Sequence, residues 1–194
     1  MLSIRPKWCE KIASGRKTIE VRRTAPKEVP FKCYIYCCKD NAQEIVLLKD
    51  WKNRFSFGDY RNADGHFYDV ANRTVIGEFI CNEVERFMVG SLRSDDIEKL
   101  ACLSYNEMIS YFYKPEELDG ETTKQGFAWH ISDLKIYDKP KELSLFYAKC
   151  NIPESKCKLC DNCFYKENGY GKDYAVKKLT RPPQSWMYVE EICL

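Results

Sequence analysis

The sequence lacks any long apolar segment. No run of hydrophobic residues approaches the roughly 20 that a membrane-spanning helix needs, and the first six residues do not form the apolar core of a signal peptide. Internal repeats and low-complexity tracts are absent as well. We therefore expect a cytoplasmic protein without a membrane partner.

The composition is that of one globular domain. The chain has 194 residues, of which 44% are hydrophobic and 31% are charged, a balance typical of a folded protein with its own core. Two polar segments, at about 39–73 and about 149–180, interrupt the pattern of the rest. We expect a single domain over residues 1–194 with insertions at these two places.

Eleven cysteines are present, and four of them form a cluster. Without an export signal the thiols are expected to stay reduced, and clustered thiols can hold a metal ion. Short Cys-x2-Cys spacings suit tetrahedral thiolate coordination. We predict a structural zinc site, with an iron–sulfur cluster or an unliganded loop as alternatives, at Cys150, Cys157, Cys160 and Cys163.

Positive charge is concentrated at the start of the chain. The net charge is only +2, yet residues 1–32 carry nine Lys and Arg against three Glu, and the remaining 162 residues sum to −4. A basic segment on a nearly neutral protein indicates an anionic partner such as RNA, DNA or a phosphorylated small molecule. The alternative is an ordinary solvated surface.

A strand after Gly15 is predicted to carry a polar cluster. Side chains alternate along a strand, so Thr18, Glu20 and Arg22 are expected to share one face. Lys17 lies at the start of that strand. An ammonium, a carboxylate and a guanidinium would then lie side by side, although a plain strand edge would give the same pattern.

The remaining patterns predict a mixed α+β fold. A short strand, a helix from Pro6 to about Gly15 and the polar strand open the chain. Long strands are predicted over 74–87, with Gly77 as a bulge, and over 126–137. Helices are predicted to start near Ser94 and at a Ser104–Glu107 capping box. About six strands without βαβ alternation favour a small mixed barrel flanked by short helices.

The N-terminal run resembles the signature of the ASCH family of the PUA-like superfamily. The motif is Gly-x-Lys-Thr-x-Glu-x-Arg, which here comprises Gly15, Lys17, Thr18, Glu20 and Arg22. The segments VIGEFICNEVERF, GFAWHISDLKIYDKPKELSLF and RPPQSWMYVEE resemble the branch of that family found in phages and firmicute bacteria. The resemblance covers roughly residues 2–38, 74–147 and 181–192.

The resemblance implies a PUA-like barrel with a cleft beside its first helix, where RNA or a modified nucleoside or nucleotide binds. Lys17, Glu20 and Arg22 would line that cleft. Phosphate groups would bind basic side chains, and unpaired bases would stack on aromatic rings. The expected ligand-binding residues are Arg5, Lys7, Lys17, Thr18, Glu20, Arg22, Arg23, Trp129 and Trp186, with core packing as the alternative role for the two tryptophans.

Two enzymatic alternatives remain. One branch of the resembled family contains amidohydrolases that deacetylate acetylcytidine with a lysine and a threonine. Lys17 matches the lysine, but Glu20 stands where that threonine is expected. Lys17 and Glu20 would be the catalytic pair only if the lysine loses its proton and the carboxylate lies within hydrogen-bond reach. A weak ribonuclease is the other alternative.

Overall fold

The computed structural model describes residues 1–39, 45–47, 55–57, 72–117, 123–149 and 176–191. Most of both predicted insertions and the four clustered cysteines lie outside these residues. Within them the chain forms three α-helices and several small sheets, so the predicted α+β class is confirmed. None of the described helices combines the length and apolar character needed to span a membrane.

The N-terminal elements follow the predicted order. Strand β1 (Leu2–Ile4) leads into helix α1 (Pro6–Ala13), and strands β2 (Ile19–Arg22) and β3 (Phe31–Cys37) follow. Pro6 occupies the first turn of the helix, where the missing N–H costs nothing. Gly15 has a φ of +74°, a conformation that favours glycine, and it ends the helical segment before β2.

Each of the two predicted long strands is in fact a pair of strands. The first pair is β6 (Val75–Cys81) and β7 (Val84–Met88), after a small hairpin of β4 (Ile45–Leu47) and β5 (Phe55–Phe57). The second pair is β8 (Gln125–His130) and β9 (Ser132–Lys141). In both cases the chain leaves one sheet and enters another. The breaks fall at Asn82–Glu83 and at Ile131, where no glycine or proline interrupts the sequence, so the residue pattern alone did not separate the halves.

Two sheets organise the site region. The four-stranded sheet has the order β1-β3-β6-β9, with β1 parallel to β3 and the other pairs antiparallel. The three-stranded antiparallel sheet has the order β2-β8-β7. Gly77 lies at a register shift of β6, and an added Cβ would come within 2.4 Å of the Lys135 carbonyl oxygen, so the predicted bulge is confirmed.

Two helices cover one face of the three-stranded sheet. They are α2 (Leu92–Leu100) and α3 (Tyr105–Phe112). Helix α2 begins after Ser91, whose hydroxyl accepts a hydrogen bond from the Ser94 N–H, so the helix starts two residues before the predicted Ser94. The capping box of Ser104 and Glu107 at the start of α3 is confirmed.

The C-terminal part of the described chain returns to β1. Strand β10 (Phe146–Lys149) lies between β11 (Val176–Lys178) and β12 (Glu190–Glu191) in a third sheet. Trp186 forms an isolated antiparallel bridge with Leu2. Backbone hydrogen bonds from Ser3 N–H to Ser185 and from Met187 N–H to Met1, at 2.9 and 3.0 Å, hold this segment along the edge of β1.

The core lies on both sides of the three-stranded sheet. On one side Trp129 packs against α1 and the four-stranded sheet, in a cluster that includes Ile12 and Phe79. On the other side Ile19 and Val21 pack with residues of α2 and α3. The described strands fall into four separate sheets, none of which closes on itself as the expected small barrel would.

Candidate functional site

Three charged side chains converge at β2. Glu20 forms ion pairs with both cations: its Oε2 lies 3.2 Å from Lys17 Nζ, and its Oε1 lies 2.9 Å from Arg22 Nη2. Glu20 and Arg22 share a face because they are two residues apart on one strand, and Lys17 reaches the same carboxylate from just before the strand. We call these three residues the charged triad.

The triad is buried. Its members are only 3%, 7% and 7% exposed for Lys17, Glu20 and Arg22. Their head groups therefore meet as the pattern of the strand indicates, but they lie beneath the surface and not along an open groove. Charged groups at this depth require close polar partners, because burial removes their hydration.

Backbone groups from distant parts of the chain supply those partners. Lys17 Nζ donates to the carbonyl oxygen of Ala101, the residue that ends α2, at 2.9 Å. Arg22 Nη2 donates to the Ser3 carbonyl oxygen at 2.9 Å, and its Nη1 donates to Ser185 Oγ at 3.3 Å. The triad thus connects β2 to β1, to the end of α2 and to the C-terminal segment.

Two cations share one carboxylate, so the triad carries one excess positive charge when all three groups are ionised. Arg22 Nε is buried and has no hydrogen-bond partner among the described residues. A buried excess charge with low-dielectric surroundings projects a stronger field than a surface charge does. The arrangement is suited to attract an anion.

Further basic groups surround α1. Four of the predicted ligand-binding side chains are exposed, namely Arg5, Lys7, Thr18 and Arg23. Lys7 forms an ion pair of 2.6 Å with Glu107, and Arg23 Nε donates to the Tyr111 carbonyl oxygen at 3.0 Å. These partners fix where the two side chains point, and the ion pair with Glu107 offsets the charge of Lys7.

Trp8 is a site residue that sequence reasoning missed. The ammonium groups of Lys7, Lys11 and Lys17 lie 4.5, 4.7 and 5.5 Å from its ring centroid. Such distances permit cation–π attraction. The sequence signal was the presence of Lys7 and Lys11 on the same helix as Trp8. The ring of Trp8 attracts these two ammonium groups and that of Lys17 on the α1 side of the triad.

The two tryptophans predicted as base platforms have different environments. Trp129 is 1% exposed and belongs to the core, where Phe31 packs edge-on against it at 5.3 Å between ring centroids. A base therefore cannot lie on an open face of Trp129 in this conformation. Trp186 is half-buried and packs against Trp129 at 5.4 Å with an interplanar angle of 70°.

An open cleft of about 60 Å³ lies where these rings meet. It is lined by aromatic side chains from three separate segments, by Lys32 and by the residues that follow Trp186. Phe31, Tyr34 and Tyr188 were not among the predicted site residues. They are brought together only by tertiary packing, so no local spacing in the sequence signals them.

Buried thiols lie close to the triad. Burial, followed by the effect of the neighbouring Cys37 thiol, raises the pKa of Cys9 well above its usual value. Burial also raises the pKa of Cys33 to about 12. These cysteines are neutral thiols in the core. Within the described ranges no three His, Cys, Asp or Glu side chains are placed to hold a metal ion, and the four clustered cysteines lie outside those ranges.

Comparisons with known proteins add a set of solved structures. No protein-family model matches the chain, and no curated protein matches it. The chain is similar to the crystal structure of ASCH from Zymomonas mobilis, with 21% identity, a TM-score of 0.46, and coverage of 73% of this chain and 71% of that chain. Two point mutants of that protein give 20% identity with a TM-score of 0.47, and 17% identity with a TM-score of 0.45. Coverage is 73% of both chains for the first mutant, and 99% of this chain and 86% of that chain for the second.

Proposed function

We propose that the protein is a PUA-like domain of the ASCH type, of the phage and firmicute branch, that binds RNA or a modified nucleoside or nucleotide. The motif of Gly15, Lys17, Thr18, Glu20 and Arg22 supports the family. The observation that carries the function is the pairing of two buried cations with a single carboxylate. That arrangement leaves one positive charge for an anionic ligand to offset.

The surroundings of the triad support an anionic ligand. The exposed guanidinium of Arg5 lies at the start of α1, and the ring of Trp8 on that helix is near the ammonium groups of Lys7 and Lys11 of α1 and of Lys17. Phosphate groups recognised by such charges supply affinity without reading sequence. Base recognition then has to come from the aromatic side chains nearby.

The geometry favours binding over catalysis. Lys17 Nζ donates to the Ala101 carbonyl oxygen and forms an ion pair with the Glu20 carboxylate, so it is already engaged within the protein. Glu20 in turn is paired with two cations. Both side chains are buried, at 3% and 7% exposed, so neither is open to a substrate and its attacking water.

The binding proposal is tested by removing one buried charge. Lys17→Met keeps the length of the side chain and leaves Glu20 and Arg22 as a neutral pair. Affinity for a labelled single-stranded RNA should fall by about two- to fifteenfold at low salt, the effect of one charge about 10 Å away at an effective dielectric constant between 20 and 80. Fluorescence anisotropy measures this fall.

Lys99→Met is the matched control, because it removes the same charge from an exposed position on α2. Its affinity should stay close to that of the wild-type protein. Thermal unfolding of both variants shows whether they fold. Equal RNA affinities for the folded Lys17→Met and Lys99→Met proteins would contradict a role for the triad.

The amidohydrolase alternative has one supporting observation, the 3.2 Å distance between Lys17 Nζ and Glu20 Oε2. Incubation with acetylcytidine followed by chromatography separates it from binding. We expect no cytidine to be released. Release that disappears in Lys17→Ala would replace the binding proposal by an enzyme, and shortening of the bound RNA would indicate the ribonuclease alternative.

A further inference from the structure

The aromatic cleft lies directly beside the charged triad. Its walls are formed by Phe31, Lys32, Tyr34, Trp129, Trp186 and Tyr188. Arg22 of the triad donates to Ser185, the residue before Trp186, and Glu20 is the cross-strand partner of Trp129. The cleft and the triad therefore share a wall.

We propose that this cleft binds one unpaired nucleobase, stacked on the ring of Trp186, with the attached phosphate toward Lys32. The proposal rests on the proposed function, because it names the part of the ligand that the triad does not recognise. The cleft measures about 60 Å³, far less than a site that encloses a whole drug-sized ligand, so at most one flat ring, partly exposed to solvent, could occupy it. A base within a duplex cannot enter a site of this size.

The platform is held in place before any ligand binds. The Trp186 indole N–H donates to Thr24 Oγ1 at 2.8 Å, and the Lys27 N–H donates to the Tyr188 hydroxyl at 3.1 Å. Both contacts come from the loop that directly follows Arg22. Rings fixed in this way lose little conformational freedom when a base stacks on them.

Neither of the two aromatic rings that contact Trp186 is stacked parallel to it. Trp186 meets Trp129 at an interplanar angle of 70° and meets Tyr188 at 85°, with centroids 5.4 and 5.5 Å away. Both contacts are edge-to-face, so neither neighbour occupies the parallel position against Trp186 in the described part of the chain. Base–aromatic stacking uses that parallel position and tolerates any base.

Polar groups at the cleft match a nucleotide. The Trp129 ring lines the cleft, but its indole nitrogen is buried, so it offers no accessible donor to a base. Lys32 is half-exposed, and its Nζ lies 3.6 Å from the nearest Glu78 carboxylate oxygen, so it retains capacity for a phosphate. The site thus combines aromatic rings and a cation.

The test measures binding of defined probes to the full-length protein. The probes are the four ribonucleoside 5′-monophosphates, ribose 5-phosphate, which lacks a base, and a single-stranded RNA hexamer. Quenching of tryptophan fluorescence gives the affinities. We expect the base-containing probes to bind. Ribose 5-phosphate should bind at least about fivefold more weakly, which corresponds to the free energy lost when one base is not stacked on an aromatic ring.

Variants locate the site. Trp186→Ala and Tyr188→Ala should each weaken binding of the base-containing probes by about fivefold or more. Tyr188 is 61% exposed, so its variant is expected to fold even where Trp186→Ala does not. Tyr105→Ala is the matched control, since Tyr105 is a comparably exposed tyrosine, at 57%, on α3. It should bind as the wild-type protein does.

The outcomes separate the cleft from the proposed function. Loss of affinity in Tyr188→Ala but not in Tyr105→Ala supports the cleft, and comparison of the hexamer with the mononucleotides tells whether the base comes from RNA or from a free nucleotide. Unchanged affinity in the folded Trp186→Ala and Tyr188→Ala proteins overturns the cleft and leaves the proposed function standing. No binding of any base-containing probe by the wild-type protein overturns both.

Discussion

Glu20 and Trp129 are direct partners in the antiparallel pairing of β2 with β8, so their side chains leave the same face of the three-stranded sheet. Glu20 holds two buried cations on one side of this pair. Trp129 forms a wall of the aromatic cleft on the other side. One cross-strand contact therefore links the charged group and the aromatic surface, and a change in either is expected to affect the other.

Glu20→Gln should destabilise the fold strongly. The substitution leaves the buried Lys17 and Arg22 without a counter-charge, and breaking a buried ion pair from one side costs about 3 to 5 kcal/mol. Urea unfolding measures the loss. Asp96→Asn is the control, because this exposed carboxylate on α2 makes only long ion pairs and should change stability by less than about 0.5 kcal/mol. A Glu20→Gln protein as stable as this control would contradict the structural importance of the triad.

Stability should fall in acid through Glu107. The hydrogen bond from Lys7, together with the capping contact of Ser104, lowers the pKa of Glu107 from 4.5 to about 2. A lowered pKa in the folded protein means that the stabilisation is complete above pH 4.5 and is lost as the pH falls toward 2. The side chain is 37% exposed, so solvent screening limits the effect to about 1 kcal/mol or less.

Chemical unfolding at several pH values tests this expectation. The difference in unfolding free energy between the wild-type protein and Glu107→Gln should be constant at neutral pH and shrink below pH 4.5. Lys7→Met should show a smaller decline than the wild-type protein, because the Ser104 contacts remain. A difference that stays the same down to pH 2 would be inconsistent with the lowered pKa.

Cys9 and Cys33 should resist alkylation while the protein is folded. Both are buried, and burial raises the pKa of each thiol, to about 12 for Cys33, so almost no thiolate is present near pH 8. Mass spectrometry after brief treatment with iodoacetamide should find these two residues unmodified in the native protein and modified in urea. Modification of either one under native conditions would show that the core around the triad opens.

The structural zinc site at the four clustered cysteines remains a prediction. Metal analysis of the purified protein should give one zinc ion per chain, and Cys160→Ser should lose it. Cys102→Ser is the control, because Cys102 is a half-buried thiol that follows the end of α2 and lies outside the cluster. Iron in place of zinc would select the iron–sulfur alternative, and a metal-free wild-type protein would leave the cluster without a ligand role.

Local patterns predicted the elements that depend on local interactions. The helix from Pro6 and the capping box at Ser104 follow from the preferences of single residues and were found as expected. The meeting of Glu20 and Arg22 follows from the two-residue repeat of a strand. In each case the physical cause lies within a few residues of the feature itself.

Features that depend on distant contacts were not predictable. Lys17 binds a carbonyl oxygen 84 residues away, and Arg22 binds a hydroxyl 163 residues away. The burial of the triad results from these contacts, so the sequence indicated the charges but not their depth. The breaks before β7 and β9 were missed for a similar reason, since no glycine or proline marks them and the chain changes only its pairing partners there.

The most direct measurement is a titration of the wild-type protein with single-stranded RNA at several salt concentrations. Because the proposed ligand is recognised through its phosphates, the logarithm of the binding constant should fall linearly with the logarithm of salt, with a slope of about −0.7 for each phosphate contact. Binding that does not respond to salt, or no binding at the lowest salt concentration, would contradict an anionic ligand for the buried Lys17, Glu20 and Arg22 group.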